Sequence, residues 1–237
     1  MKALILAGGL GTRLREVITD LPKPMAEAGG RPFLAYLIEQ LRTQGFRDIV
    51  LCVGYMAAQV ESYFGDGRHW NVRVSYSVET ELLGTAGAIR NAAHLVDGAF
   101  LVLNGDTYLE VDYRHMVQAH LHSLEAFPNM VASIAAARVE DSSAYGALSL
   151  SDDFRVERFR EKVGMAEAWV NAGAYVLEPK VLEWIPEGCR VSLERETFPL
   201  LLERGLDLRA YPARGFVVDI GTPEGFRRFR RHVEEGL

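Results

Sequence analysis

A short apolar run, Ala3-Leu4-Ile5-Leu6-Ala7, stops abruptly at Gly8-Gly9-Leu10-Gly11-Thr12-Arg13, and this junction constrains the fold more than any other segment. An apolar run meeting three glycines predicts a buried strand that ends in a tight turn. Glycine lacks a Cβ and tolerates positive φ, so backbone N–H groups can converge on an anion lying against such a turn. Thr12 adds a hydroxyl, while Arg13, Arg15 and Lys23 add positive charge suited to phosphate oxygens. Two familiar phosphate loops are excluded by spacing. A Walker loop requires Lys and then Ser or Thr directly after its last glycine, where this chain has Thr12-Arg13. The Rossmann fingerprint fits Gly9 and Gly11 but then demands a small residue where Leu14 stands. On the glycines alone, an ordinary strand-to-helix turn is an equally good reading.

Downstream, apolar runs alternate with helical patterns. Strands are expected at Ala3–Ala7, Ile49–Val53, Val72–Tyr76 and Phe100–Leu103, with helices at Phe33–Leu41, Ala57–Phe64 and Thr85–Leu95. Leu34, Leu37, Ile38 and Leu41 recur at helical spacing and should face the sheet. This alternation predicts an α/β protein, with a mostly parallel sheet and helices on both faces. After Leu103 the rhythm changes. Met130–Ala137, Ala147–Leu150, Val156–Phe159 and Trp169–Val176 read as strands with antiparallel pairing among them. Ser192 is the expected N-cap of a helix over Leu193–Glu203, with Glu194 and Glu196 complementing its dipole. A last helix runs from Pro223 to about Glu234, burying Phe226, Phe229 and Val233 and leaving Arg227, Arg228, Arg230 and Arg231 as a solvated face.

At 237 residues the chain suits one large α/β domain. A net charge of -6 argues against general affinity for nucleic acid, so basic residues must be gathered locally to hold an anion. Cys52 lies in an apolar strand pattern far from Cys189, which favours a buried thiol over a disulfide and suggests the cytoplasm. The N-terminal apolar run is too short for a signal peptide, and no segment is long enough to span a membrane.

The segment Leu6–Met25, LAGGLGTRLREVITDLPKPM, resembles the signature of the sugar-phosphate nucleotidyltransferases, G-G-x-G-T-R-L…P-K-P. Further family-like segments follow in order: Leu83-Gly84-Thr85-Ala86-Gly87, Asn104-Gly105-Asp106-Thr107, Glu161-Lys162, Asn171-Ala172-Gly173 and Asp219-Ile220-Gly221-Thr222-Pro223-Glu224. Together they cover nearly the whole chain. The resemblance implies a Rossmann-like three-layer α/β/α fold in a single domain. Residues to about 110 would bind a nucleotide and the remainder a sugar phosphate, with no appended β-helix.

It also implies Mg²⁺ (or Mn²⁺) chemistry: a sugar 1-phosphate attacks the α-phosphorus of a nucleoside triphosphate, forming a nucleotide sugar and pyrophosphate. Asp106 and Asp219 would hold the metal, although Val217-Val218 departs from the aromatic residue that relatives often carry before the second aspartate. Leu6, Ala7, Gly8, Gly9, Gly11, Thr12, Arg13, Lys23, Gly84, Thr85, Asn104 and Gly105 would contact the nucleotide. Gly146, Glu161, Lys162, Asn171 and Gly173 would take the sugar phosphate, with Arg13, Lys23, Asp106 and Lys162 acting on the phosphates in the reaction.

Lysine usage adds a clue independent of the family. Among 26 basic residues only Lys2, Lys23, Lys162 and Lys180 are lysine, and two of these fall inside motif segments, where a compact ammonium fits between phosphate oxygens. Glu79 occupies a position that faces the base in similar enzymes. Its carboxylate can accept two hydrogen bonds from guanine and would repel the carbonyl edge of uracil or thymine, which favours GTP. Within the family, these features look most similar to guanylyltransferases acting on D-glycero-α-D-manno-heptose 1-phosphate, then on mannose 1-phosphate. Transfer of another nucleotide, or a non-catalytic nucleotide-sugar-binding subunit, stays open, as does homo-oligomerisation. His115, His120 and His122 read as exposed helix positions rather than zinc ligands, because adjacent-but-one residues point to different faces of a helix.

Overall fold

The computed structural model describes residues 1–9, 11, 21–141, 145–160 and 166–236. In chain order the first half contains β1 (Ala3–Leu6), β2 (Glu27–Ala28), β3 (Arg31–Pro32), α1 (Phe33–Thr43), β4 (Asp48–Val53), α2 (Ala57–Phe64), β5 (Arg73–Val78), α3 (Gly84–Asn91), β6 (Phe100–Asn104) and β7 (Thr107–Leu109). The second half contains α4 (Tyr113–Ala126), β8 (Met130–Asp141), β9 (Ala147–Leu150), β10 (Val156–Arg160), β11 (Ala166–Leu177), α5 (Phe198–Glu203), β12 (Asp207–Ala213), β13 (Val217–Asp219) and α6 (Pro223–Glu234).

Strand β1 is central because every side chain it offers to either face is apolar. It pairs in parallel with β4 and β6, and β4 pairs in parallel with β5. Ala3 and Ile5 join one apolar cluster with α1 and Phe229 of α6, while Leu4 joins the other with Ile89 of α3 and Phe198 of α5. This alternation is the period-two pattern of a sheet covered on both faces. Leu34, Leu37, Ile38 and Leu41 are fully buried, as their spacing predicted.

The second half brings antiparallel pairing, as expected: β11 runs antiparallel to β6 on one side and to β8 on the other, and the β9–β10 hairpin attaches at Val170. Beyond β8 the sheet regains a parallel partner in β12. A separate ribbon pairs β7 with β13, setting Thr107 opposite Asp219.

Three expectations need correction. The helix expected over Thr85–Leu95 ends at Asn91 and passes into a single 3₁₀ turn, Ala93–Leu95. The helix after Ser192 starts as a π-helical turn, Leu193–Thr197, and becomes α-helical only at Phe198. Pro199 explains the change: it has no N–H for an i→i−4 bond, and the Thr197 N–H instead reaches back five residues to Ser192 O at 3.0 Å. Ser192 caps this turn as predicted, accepting from Arg195 N at 3.2 Å.

The third correction concerns His120, which is buried rather than exposed, whereas His115 and His122 are exposed. Helix α4 buries Tyr113, Met116 and His120 along one stripe, so a histidine stands where the period calls for an apolar residue. Its ring satisfies both nitrogens, Nδ1 against Ser133 Oγ at 3.0 Å and Nε2 against Glu178 Oε1 at 3.1 Å.

Burial lowers the His120 pKa below 6.5, with Glu178 opposing the shift. The unfolded chain therefore takes up this proton before the folded one, and the stabilising contribution is complete above pH ~6.5 and lost as pH falls toward the lowered folded value. Melting temperature is expected to fall between pH 7 and 5.5 more steeply for the native sequence than for His120→Gln. Parallel pH profiles for the two proteins would exclude His120 as a source of acid sensitivity.

Candidate active site

Asp106 follows β6, and Asp219 ends β13. The β7–β13 ribbon brings them together, because pairing Thr107 with Asp219 sets the two carboxylates at the same end, and Ile220 N donates to Asp106 O at 2.8 Å. Lys23 reaches this end from the turn Lys23–Met25, anchored by buried Pro24 and Met25. Its Nζ lies 2.6 Å from Asp106 Oδ2 and 3.8 Å from Asp219 Oδ1, and only 12% of the side chain is exposed. Gly221 N donates to Asp219 Oδ1 at 2.5 Å, and Thr107 Oγ1 donates to Asp106 Oδ1 at 3.3 Å.

Two cavities meet at this point. The first, about 520 Å³, has Leu6, Gly8, Gly9 and Gly11 on one side and Glu79, Leu82, Gly84, Thr85 and Ala88 on the other, with Asn104 and Asp106 at its end. A Cβ on Gly8 would sit 2.5 Å from Glu79 Oε1, so a side chain here would push that carboxylate from its place in the cavity wall. Glu79 is half-buried. Its Oε2 accepts from Leu83 N at 3.0 Å, and burial pushes its pKa up while that N–H pulls it back. Arg190 is the one cationic side chain lining this cavity among the described residues. Its segment is stitched to the α3 entrance by Val191 N to Leu83 O at 2.8 Å and Ala86 N to Val191 O at 3.0 Å.

The second cavity, about 500 Å³, shares Asn104 and Asp106 with the first and adds Thr107, Asp219, Tyr145, Gly146 and Asn171. Phe159, Arg160, Ser192, Glu194, Arg195 and Pro199 close it. Burial raises the Tyr145 pKa, opposed by Arg228. Asn104 Oδ1 is buried with no hydrogen-bond partner among the described residues, an unpaired acceptor in a residue that lines both cavities.

The structure thus gathers most of the residues anticipated from sequence. Ala7 and Gly105 line neither cavity and act as backbone joints, with Ala7 N donating to Cys52 O at 2.7 Å and Gly105 N to Leu6 O at 3.0 Å. Gly173 sits at a bulge of β11 with φ +71°, where a Cβ would crowd Asn104 Nδ2 at 3.0 Å and Thr107 Oγ1 at 3.2 Å. Thr12, Arg13, Arg15, Glu161 and Lys162 lie outside the described residues. Missed from sequence were Arg190, Tyr145 and Glu194. Glu194 was assigned to the helix dipole, yet its carboxylate turns inward to Thr85, Ser192 and Tyr175.

The donor set fits Mg²⁺, which commonly binds one or two carboxylates and completes its octahedron with phosphate and water oxygens. Asp106 and Asp219 already share a cation, the Lys23 ammonium. Among the described residues no cluster of three or more His, Cys, Asp or Glu side chains forms a closed metal cage.

Residues 2–236 match the family described as Nucleotidyl transferase. The chain is 38% identical to the mannose-1-phosphate guanyltransferase of Aspergillus fumigatus, over 95% of this chain and 62% of that protein, so it spans less than two thirds of the first relatives it matches. It is 33% identical to the D-glycero-alpha-D-manno-heptose 1-phosphate guanylyltransferase of Aneurinibacillus thermoaerophilus, over 99% of both chains. The crystal structure of HddC from Yersinia pseudotuberculosis superposes with a TM-score of 0.86 at 34% identity, covering 98% of this chain and 99% of that one. The same protein complexed with GMP-PN gives a TM-score of 0.85 over the same coverage.

Lys23→Met would remove the ammonium that the two aspartates share. Because both carboxylates are partly exposed, a loss of about 1–2 kcal/mol is expected in urea titrations. Millimolar Mg²⁺ should restore much of it for this variant and change the native protein less. A variant indifferent to Mg²⁺ would argue against a metal seat between Asp106 and Asp219.

Proposed function

The chain belongs to the nucleotidyl transferase family, and from that premise we propose that it transfers a guanylyl group from GTP to a sugar 1-phosphate. The observation that carries this reading is the pair of cavities joined at Asn104 and Asp106, one suited to each substrate. An oxygen of the sugar phosphate attacks the α-phosphorus in line. A new P–O bond forms as the bond to the β-phosphate bridge breaks, and pyrophosphate leaves with the electron pair.

The glycine turn cradles the triphosphate on backbone N–H groups, and Arg190 supplies a fixed guanidinium at the same cavity. Lys23 holds the aspartates in register and places an ammonium beside the phosphates. Asp106 and Asp219 would hold Mg²⁺ (or Mn²⁺), which when bound supplies Lewis-acid charge at the attacked phosphate. Arg13 and Lys162 complete the cationic set by resemblance. On the sugar side, Gly146 and Asn171 line the receiving cavity, and Gly173 and Glu161 are assigned to the sugar phosphate by resemblance. The fold acts as a single domain, with the nucleotide held mainly before residue 110 and the sugar phosphate after it.

Glu79 favours guanine by accepting from its N1–H and exocyclic amine. A D-glycero-α-D-manno-heptose 1-phosphate acceptor is favoured by the relative that matches end to end, with mannose 1-phosphate as the alternative. The reaction is assigned to the cytoplasm, and no helix among the described residues is long and apolar enough to cross a membrane.

The decisive experiment crosses nucleoside triphosphates with sugar 1-phosphates and measures pyrophosphate release with and without Mg²⁺. Release is expected with GTP and a manno-configured sugar, and only with metal. Silence across the matrix would leave a non-catalytic nucleotide-sugar-binding protein instead. In an active enzyme, Glu79→Gln should lower kcat/KM for GTP roughly 10- to 100-fold, the worth of a bidentate contact to one base. Because burial raises the Glu79 pKa, protonation on the acid side removes the guanine acceptor. Native kcat/KM for GTP should therefore fall in a limb lying above the ordinary carboxylate value of 4.5, and Glu79→Gln should lack that limb.

A further inference from the structure

We infer that Glu194 is a positioning residue that decides which end of the Asn171 amide faces the sugar 1-phosphate, an inference resting on the sugar-phosphate reading of the second cavity. Its Oε2 accepts from Thr85 Oγ1 at 2.8 Å and from Ser192 Oγ at 2.9 Å, and its Oε1 accepts from the Tyr175 phenol at 3.1 Å. Tyr175 is fully buried, and burial together with the Glu194 charge keeps its proton in place. The phenol commits that single proton to Glu194. Its oxygen is left as an acceptor, for which Asn171 Nδ2 donates at 2.8 Å and the Asn104 side chain is a second donor. At the other end of the amide, Asn171 Oδ1 accepts from Gly173 N at 3.1 Å.

The direction of this relay has consequences for the site. An amide turned by 180° would set its NH₂ against the Gly173 N–H and its oxygen against a phenol with no proton to give. The acceptor-only carboxylate of Glu194, two hydrogen bonds away, thereby fixes the donor and acceptor that Asn171 presents to a sugar hydroxyl. The same carboxylate holds Thr85, whose hydroxyl also accepts from Leu193 N at 2.7 Å. The wall of the nucleotide cavity and the wall of the sugar cavity are thus tied to one group.

Glu194→Gln is nearly isosteric but reverses the relay. Thr85 and Ser192 both donate to one position, so the oxygen of the introduced amide is held there and its NH₂ faces Tyr175. The phenol then accepts from that NH₂ and turns its proton toward Asn171, in conflict with Gly173 N. Tyr175→Phe cuts the relay while Glu194 keeps its bonds from Thr85 and Ser192.

Steady-state kinetics should be measured with GTP and whichever of mannose 1-phosphate and D-glycero-α-D-manno-heptose 1-phosphate the native protein turns over. Each single variant should raise KM for the sugar 1-phosphate about ten-fold, the scale of one buried hydrogen bond, with kcat changing less than about two-fold. The double variant should be no worse than either single one, because both break the same chain. A Tyr175→Phe protein with unchanged sugar KM, or a double variant whose effect is the product of the singles, would overturn the relay. If the native protein is silent with every substrate pair, the proposed activity fails. Calorimetric titration with each of the two sugar 1-phosphates then tests the relay directly: ten-fold weaker binding in both single variants and the double supports it, and equal binding in all four proteins refutes it.

Discussion

Two carboxylates, Asp106 and Asp219, are carried to the same end of a short ribbon and share a single ammonium. Backbone pairing of β7 with β13 forces their proximity, so the repulsion between them is part of the fold rather than an accident of side-chain rotamers. Lys23 relieves it from a third segment, at 2.6 Å from one aspartate and 3.8 Å from the other. The turn Lys23–Met25 and the ribbon are therefore joined by a charge contact at the point where the two cavities meet. Much of the surrounding architecture serves to hold that meeting point still. Phe229 of α6 packs edge-on against Phe33 and Tyr36 of α1 and lies against Tyr108 of β7, coupling the ribbon to the first apolar cluster. Behind it, Glu110 accepts from Phe216 N at 3.2 Å and pairs with His232 at 2.8 Å, fixing the far end of the same ribbon to α6.

The two cavities differ in how their walls are made. The first is mostly backbone and small residues, with the Glu79 and Asp106 carboxylates and the Arg190 guanidinium among its described lining residues. In the proposed reaction such a wall would meet phosphates with N–H groups and leave discrimination to Glu79. The second is lined by side chains that already hydrogen-bond to one another, above all around Glu194. A prearranged polar wall of this kind pays its ordering cost during folding, so less is left to lose when a hydroxyl-rich ligand arrives.

How far the molecule was legible before its structure follows from what each residue does locally. Strand β1 and its turn were plain because an apolar run and three glycines act within a few residues. The span of α6 was equally plain, with Thr222 capping at Gly225 N and Pro223 at its first turn. Helix α4 was obscured because His120 replaces an apolar residue in its buried stripe, and only Ser133 and Glu178, far away in sequence, make that tolerable. Glu194 was misjudged for a related reason. An acidic residue two positions after an N-cap serine suits the helix dipole, but Pro199 forces a π turn and the carboxylate serves partners as distant as Thr85. Arg190 carried no local signal at all, since it reaches the first cavity through the pairing of Val191 with Leu83 and Ala86.

Charge balance bears on how an acidic protein would receive the two phosphate-bearing substrates proposed for it. The net charge of -6 sets a repulsive background for any anion, so attraction has to be local. At the junction of the cavities the Lys23 ammonium stands against the two carboxylates, and Arg190 adds a guanidinium to the first cavity. A divalent cation held by the aspartates, as proposed, would add two positive charges at the same spot. In the proposed reaction the junction would therefore attract a nucleotide that arrives with its metal more strongly than a bare one. Keeping Lys23 at 12% exposure sharpens that distinction, because a charge shielded from water is screened less by salt and acts more strongly on what binds beside it.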